Sequence, residues 1–388
     1  MAWPLAASLL LSACAAPQSP RNAILIVLDT LRADGLSAYG NPRETTPVLD
    51  ELARRGVLFE SAVANATWTL PAMAGLLSGR YPTAQVFDRG LHVSLVENLR
   101  DAGWSTAAFV EGGFVSEMFG LDRGFERFRE QAGGVGRIEG IEQTFREARA
   151  WLEENGDRPF FLLIHTYEPH LPYRRRTYTE GFDRGRFGPT LELPEAMAAL
   201  DPTVPVTPQE LAFVRALYDG GARASDEQVG VLLASLAELE LADETLVVVT
   251  SDHGEDLGDR LPVRLASHGH ALYDEQLLVP LVLYDPTREF PVRRVTAQVR
   301  SVDVMPTILD LLGAPAIAGR YGRSLLPLMT GEESADRLAW AEVPRHPFRP
   351  AKLRFAARTG KHKVILTPGA PDGSRRRKVE LYDLEADP

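Results

Sequence analysis

Three short segments carry side chains that could do chemistry together. The first is Asp29, which follows the apolar run Asn22–Leu28 (NAILIVL). A carboxylate at the end of a buried strand is costly unless a cation pairs with it or it caps a helix. The second is Asp252-His253-Gly254-Glu255, which follows Ser251 and the apolar run Thr245–Thr250 (TLVVVT). An adjacent carboxylate and imidazole offer one hard oxygen and one nitrogen, a natural pair for a divalent ion. Gly254 is expected to let the backbone turn sharply there. The third is Thr69, in Thr69-Leu70-Pro71. The proline is expected to start a helix just after Thr69, so that backbone N–H groups and the positive helix end face the hydroxyl and any bound anion. A metal, a hydroxyl and an anion-binding helix end together suit nucleophilic attack on a phosphate or sulfate centre. Taken singly, each segment also reads as an ordinary cap or turn.

Bringing the three together requires a scaffold, and the chain alternates strand and helix from residue 21 onward. Thr46-Pro47 opens a helix that Gly56 closes. Val93, Val96 and Leu99 give the next helix an apolar face. Ser105–Val110 (STAAFV) reads as a strand, and Ile141, Phe145, Ala148 and Leu152 mark a long amphipathic helix. Phe160 to His165 (FFLLIH) is a further buried strand, Thr207-Pro208 starts a helix reaching about Glu240, and Val279 to Tyr284 (VPLVLY) is the last strand of the set. The pattern predicts an α/β fold with a mostly parallel central sheet and helices on both faces. In such sheets the chemistry gathers at the carboxyl ends of strands. After about residue 340, Leu353 to Arg358, Lys361 to Leu366 and Val379 to Leu384 read as a small antiparallel sheet. The domains expected are therefore a leader at 1–20, a catalytic unit at 21–340 and a C-terminal sheet at 341–388, which reads as abbreviated because Pro388 directly follows a strand. Residues 171–206 have little periodicity, and a loop of that length is expected to overhang the site.

Composition narrows the class. Of the 388 residues, 45% are hydrophobic and 24% charged, with a formal net charge of −11. That acidity argues against general nucleic-acid binding, which needs Lys and Arg to neutralise phosphates. The one basic run, Arg375-Arg376-Arg377-Lys378, reads as a solvated hairpin loop. No run after the leader is apolar for the roughly 20 residues a membrane span needs. The leader ends in Leu11-Ser12-Ala13-Cys14, which resembles the lipobox of bacterial lipoproteins, although no Lys or Arg precedes it; a plain cleaved signal is the alternative. Cys14 is the sole cysteine, so no intrachain disulfide or cysteine-rich metal site can form. The expectation is export to the periplasm or cell envelope, with membrane attachment through a lipidated Cys14.

The order and spacing of the motifs resemble the sulfatase branch of the alkaline phosphatase superfamily. The resemblance covers nearly everything from residue 22 to 388. It is carried by LDTLRADGLSAYG at 28–40, TLPAMAGLLSGRYP at 69–82, FFLLIHTYEPHLPY at 160–173, VVTSDHGEDLGD at 248–259, HGHALYDEQLLVPLVLYDP at 268–286, VDVMPTILDLLG at 302–313 and VELYDLEADP at 379–388. It implies an alkaline-phosphatase-like sandwich. It also implies that Asp29, Thr69, Asp252 and His253 hold one divalent metal, calcium first, with magnesium, manganese or zinc as alternatives. Thr69 then stands at the nucleophile position. His165 and His170 fall in the segment that contacts the substrate's anionic group, and His268 or His270 matches a substrate-binding or proton-donating position. Arg32, in the first motif, is assigned to substrate contact. Five of the eight histidines fall in these motifs.

The chain departs from the family at informative places. Most sulfatases carry Cys or Ser where Thr69 stands, convert it to formylglycine, and follow it with x-Pro-Ser-Arg. Here the run continues Leu70-Pro71-Ala72-Met73, and Asp29-Thr30 replaces two consecutive Asp residues. Nucleotide pyrophosphatase/phosphodiesterases, envelope phosphoethanolamine transferases and lipoteichoic acid synthases are relatives that use Thr, which is phosphorylated transiently. The expected activity is hydrolysis of a small-molecule, glycan or lipid ester of sulfate or phosphate by a Thr nucleophile. Two other readings stay open: an envelope phosphotransferase or phosphodiesterase, and a non-catalytic binding lipoprotein on a degenerate version of the fold.

Overall fold

The computed structural model describes residues 19–84, 94–131, 140–192, 205–260, 265–316, 320–344, 353–369 and 376–386. The leader through Gln18 with Cys14, Val93, residues 193–204 of the long loop, and Arg375 lie outside the described residues.

The apolar run Asn22–Leu28 forms β1, buried along its whole length. Its side chains alternate between two cores: Ala23, Leu25 and Val27 enter one, and Ile24, Ile26 and Leu28 the other. A strand covered on both faces has no use for polar alternation, which is why it reads as continuous hydrophobe. The central sheet has eight strands. In spatial order they are β10 (Arg294–Val295), β2 (Val57–Phe59), β9 (Leu281–Tyr284), β7 (Thr245–Thr250), β1, β6 (Phe160–Thr166), β4 (Ser105–Val110) and β5 (Arg127–Glu130). The five strands from β7 to β5 are parallel to their neighbours.

The expected strand over Val279–Tyr284 is divided. Pro280 has no N–H to give a ladder, and the chain changes sheets there. β8 (Leu278–Val279) pairs with β3 (Ala62–Val63) in a three-stranded sheet completed by β11 (Val299–Arg300). β9 then enters the central sheet antiparallel to both β7 and β2.

Helix α1 (Pro47–Arg55) begins after Thr46 as expected, but the Thr46 hydroxyl does not cap it. Instead Asp226 accepts from the N–H groups of Val48 and Leu49 at 3.0 and 2.8 Å. Asp226 lies on α5 (Pro208–Glu238), a single 31-residue helix opened by a Thr207–Glu210 capping box. Helix α4 (Gly140–Asn155) buries Ile141, Phe145, Ala148 and Leu152, the predicted stripe. On the other face lie α2 (Thr69–Ser78) and α3 (Val96–Asp101), which contribute Leu70, Met73, Leu76, Leu77, Val96 and Leu99 to the core shared with Ala23, Leu25 and Val27.

The C-terminal sheet is antiparallel, in the order β12 (Ala339–Val343), β13 (Arg354–Arg358), β14 (His362–Thr367) and β15 (Lys378–Asp383). β12 was not anticipated. It ties the sheet to the body of the protein, where the Glu342 N–H donates to the Asn65 carbonyl at 3.0 Å. No helix among the described residues is long and apolar enough to cross a membrane.

Candidate active site

Strand register brings the first three polar groups together. Val27 of β1 lies opposite His165 of β6 on one side and Thr250 of β7 on the other. The carboxyl ends of three adjacent parallel strands therefore deliver Asp29, His165 and Asp252 to one point. Ligand-capable atoms of these three residues all lie within 4.8 Å of one another, and all three side chains are buried. The backbone is fixed as tightly as the side chains. The Asp29 N–H donates to the Thr166 carbonyl at 3.0 Å. Asp252 Oδ1 accepts from the N–H of His253 at 2.9 Å and of Thr30 at 3.3 Å. Thr30 adopts φ 59°, the left-handed region that a β-branched residue enters only under strain. Gly254 has no such φ. It is glycine because its N–H donates to the Gln276 carbonyl at 3.0 Å and a Cβ would stand 2.3 Å from the Glu275 carbonyl oxygen.

Odd positions of β1 face the core that contains α2, and Asp29 continues that parity. Its Oδ2 accepts from the Thr69 hydroxyl at 3.1 Å. Thr69 is the first residue of α2 itself, one position later in the helix than expected, and Pro71 sits inside the first turn. Proline is tolerated there because first-turn N–H groups have no intrahelical acceptor. Asn65 pins the helix: its side chain donates to the Pro71 carbonyl at 3.0 Å and accepts from Ser301 at 2.7 Å.

A histidine group adjoins this point. His253 Nε2 lies 3.4 Å from Asp252 Oδ2. The His268 ring is 4.6 Å from that of His253 and 5.0 Å from that of His170. His268 Nδ1 meets Glu255 Oε1 at 3.1 Å, and Tyr173 donates to the other Glu255 oxygen at 3.2 Å. Of the two alternatives, His268 thus belongs to the cluster. His270 is turned into its own loop, with Nδ1 3.1 Å from the His268 carbonyl and Nε2 3.3 Å from Gln276 Nε2. Arg354 of β13 donates to the His270 carbonyl, so the C-terminal sheet braces this loop. Arg32 is directed elsewhere. Its guanidinium binds Asp34, Asp259 at 2.6 Å and the Glu255 carbonyl at 3.1 Å, and it lines a polar cavity of about 550 Å³ with Tyr39, Asp274 and Lys363.

Two contributors escaped the sequence reading. Glu255 had only its place after Asp-His-Gly as a signal. Tyr167 is fully buried, packs edge-on to His165 with rings 4.9 Å apart, and accepts from the Phe114 N–H at 3.0 Å. The long loop contributes Tyr173 at its start. Farther on, Arg174 pairs with Glu192 at 2.8 Å and Tyr178 donates to the Glu44 carbonyl at 2.7 Å.

The electrostatics are those of a site built around a cation. Burial, and then the charge of Asp252, push the Asp29 carboxyl well above the ordinary carboxylate range. Burial raises Asp252 as well. Burial drives His165 and His170 down to about 4, and His253 well below its usual value, so all three are neutral imidazoles near pH 7. Burial would raise Glu255, yet His268, through its charge and its hydrogen bond, holds it low as a carboxylate. Asp29 Oδ1, Asp252 Oδ2, His253 Nε2 and both ring nitrogens of His165 are buried without a hydrogen-bond partner. Orphaned anionic oxygens of Asp29 and Asp252 beside the neutral His253 imidazole fit a divalent metal, which can take all three as ligands.

Comparison with known proteins decides the family. The family model described as Sulfatase matches residues 21–314. Human N-sulphoglucosamine sulphohydrolase is 32% identical over 361 residues, which span 84% of this chain and 68% of that protein. The chain belongs to the sulfatase family. Members of the family are sulfuric ester hydrolases that depend on a divalent metal. This sulfatase is also 25% identical over 433 residues to the Delta 4,5-hexuronate-2-O-sulfatase of Bacteroides thetaiotaomicron, covering 98% of this chain and 85% of that one. Its fold is similar to that of the phosphonate monoester hydrolase of Agrobacterium radiobacter, with a TM-score of 0.75 at 22% identity, covering 95% and 90% of the two chains.

Proposed function

We propose that this sulfatase hydrolyses sulfate or phosphate esters with Thr69 as its nucleophile. The observation that carries the reading is the Thr69 hydroxyl, at the first turn of a buried helix and 3.1 Å from Asp29 Oδ2, a member of the Asp29–His165–Asp252 cluster. A divalent metal held by Asp29, Asp252 and His253 next to Thr69 supplies Lewis acidity and neutralises charge on the substrate anion. The chain's own groups do the rest. Asp29 Oδ2 orients the Thr69 hydroxyl and receives its proton. Thr69 Oγ1 then bonds to sulfur or phosphorus as the bond to the ester oxygen breaks. His268, held by the Glu255 carboxylate, gives a proton to the departing oxygen. His170 lines the anion's side of the pocket. Water then attacks the same sulfur or phosphorus and gives a proton to His268; the bond to Thr69 Oγ1 breaks, sulfate or phosphate leaves, and Asp29 returns its proton to restore the Thr69 hydroxyl.

A threonine ester has no geminal hydroxyl through which to eliminate its anion, so its second step must be attack at sulfur or phosphorus. Phosphorus accepts such attack readily, which keeps phosphate esters within the proposed range. The leaving group is a small-molecule, glycan or lipid alcohol, and relatives named for hexuronate and sulphoglucosamine substrates support the glycan class. Export is part of the same proposal, with Cys14 lipidated at the envelope. It rests on the Leu11-Ser12-Ala13-Cys14 spacing. Movement of a Cys14→Ala variant from the membrane to the soluble fraction supports it, and unchanged partitioning overturns it.

The test is a paired panel of aryl sulfate, phosphate monoester and phosphate diester, assayed with added metal on wild type, Thr69→Ala and Thr69→Ser. The proposal expects Thr69→Ser to retain turnover and Thr69→Ala to lose about 1,000-fold or more. Equal turnover by all three proteins rules it out.

A further inference from the structure

The assignment of a metal to Asp29, Asp252 and His253 leaves one buried group without a purpose. His165 is wholly inaccessible, and neither of its ring nitrogens has a hydrogen-bond partner. An imidazole buried without partners loses the free energy of two hydrogen bonds to water and gains nothing in return. Its Nε2 stands 3.4 Å from Asp29 Oδ2, and it is His165, rather than His253, that completes the three-residue cluster with Asp29 and Asp252. The ring packs against Tyr167, with ring centres 4.9 Å apart.

Resting on the reading of this site as metal-dependent, we propose that His165 is itself a metal ligand. Asp29, Asp252, His165 and His253 then form a two-carboxylate, two-imidazole set that would take a zinc-class ion rather than calcium, with expansion to five-coordinate leaving one position for the substrate anion. Two lines support this. The first is spacing. Neighbouring ligand atoms about 2.0–2.1 Å from a zinc ion lie roughly 3–3.5 Å apart. The separations His165 Nε2–Asp29 Oδ2 and His253 Nε2–Asp252 Oδ2 are both 3.4 Å, although His253 lies outside the group of three mutually within 4.8 Å and joins it through Asp252. The second is donor chemistry. Calcium takes about 6–8 oxygens at roughly 2.3–2.6 Å, whereas imidazole suits zinc and its transition-metal neighbours. The position after Asp29 supplies only the neutral Thr30 hydroxyl, so no third carboxylate enriches the site in oxygen.

The experiment reads the metal directly. Chelator-treated full-length protein is equilibrated with equal concentrations of Zn²⁺, Mn²⁺, Mg²⁺ and Ca²⁺. Bound metal is counted by mass spectrometry, and X-ray absorption at the zinc edge counts the imidazoles. Wild type is expected to retain zinc with two imidazoles. His165→Ala is expected to show one imidazole and to bind zinc more than about 100-fold less tightly, beyond the roughly 10–100-fold that an outer partner commands. His165→Gln serves if the alanine variant fails to fold, and the wild-type imidazole count needs no variant at all. Preferential retention of calcium, or a single imidazole in wild type, overturns the ligand assignment. If Thr69-dependent ester turnover persists in that case, the functional reading survives without it. If no divalent ion binds, both fall.

Discussion

Replacing Asp29 by Asn should stabilise the metal-free protein and abolish its response to metal. In the absence of a cation, Asp29 and Asp252 are two buried carboxylates with ligand atoms no more than 4.8 Å apart. At an effective dielectric constant of about 20, their repulsion when both are ionised is about 3.5 kcal/mol. Burial first, and this repulsion second, make Asp29 hold its proton to a pH well above the ordinary range. The sign follows from proton counting. In the unfolded chain the group ionises near pH ~3.9, while in the folded chain it stays protonated longer. The folded state therefore binds more protons over that interval, and stability falls as pH rises through it. Asn keeps the shape and an oxygen for the Thr69 hydroxyl but carries no charge. With about 2.1 cal/mol/K of unfolding entropy per residue, removing the repulsion should raise the metal-free Tm at pH 8 by about 4 °C. The assay is thermal unfolding followed by circular dichroism from pH 4 to 8, with chelator and with saturating divalent ion. Wild type should lose Tm with pH under chelator and recover it with metal, and Asp29→Asn should lose less with pH and recover nothing with metal. A lower metal-free Tm for Asp29→Asn at pH 8, or a wild-type Tm indifferent to chelator, refutes the reasoning.

Other outcomes follow from the packing around the site. A Cβ on Gly75 would stand 2.1 Å from Asn65 Nδ2, so Gly75→Ala should cost about 1–3 kcal/mol in urea denaturation. Adding Asn65→Ala should make the double variant less destabilised than the sum of the two singles, and strict additivity counts against this contact. Gly254→Ala should lower activity by disturbing Asp252 and His253, because the clash is with fixed backbone; wild-type kcat/KM in this variant contradicts that view. Glu111, buried beside β6, is raised to about 7 chiefly by burial. It should therefore contribute a loss of stability between about pH 4.5 and 7. Glu111→Gln should flatten that part of the profile, and an unchanged slope argues otherwise. Asp226→Ala removes the acceptor for two first-turn N–H groups of α1 and should cost about 1–2 kcal/mol; a loss within error denies it that role.

The sequence was most informative where one physical demand dominated. Strands covered on both faces must be hydrophobic throughout, so Asn22–Leu28, Phe160 to His165 and Thr245–Thr250 were plain, and so were the polar residues Asp29, His165 and Asp252 at their ends. The amphipathic stripe of Gly140–Asn155 was equally plain. Local pattern failed where distant partners decided the outcome. Asp226 caps α1 across 178 positions of sequence, and no local signal announces that. Pro280 divides what reads as one apolar strand because two different sheets compete for its halves. β12 was missed because Ala339–Val343 is short and finds its place by pairing with β13. Within the site, the nearness of Asp29, Thr69, Asp252 and His253 was foreseen. The choice of His268 over His270 depended on which ring the loop turns inward, and the commitment of Arg32 to Asp34 and Asp259 depended on tertiary pairing. Gly254 was foreseen as a turn residue but is required by a close backbone approach.

The central claim is that Thr69 bonds covalently to the group being transferred. Its most direct test is rapid quenching of a single turnover on an active aryl ester, with mass analysis of the peptide bearing Thr69 and a parallel run on Thr69→Ala. The account predicts a transient sulfate or phosphate ester on Thr69 that forms and decays at the rate of turnover, and turnover lower by about 1,000-fold or more in Thr69→Ala. A turnover that completes with no adduct on Thr69, and at the same rate in Thr69→Ala, contradicts it.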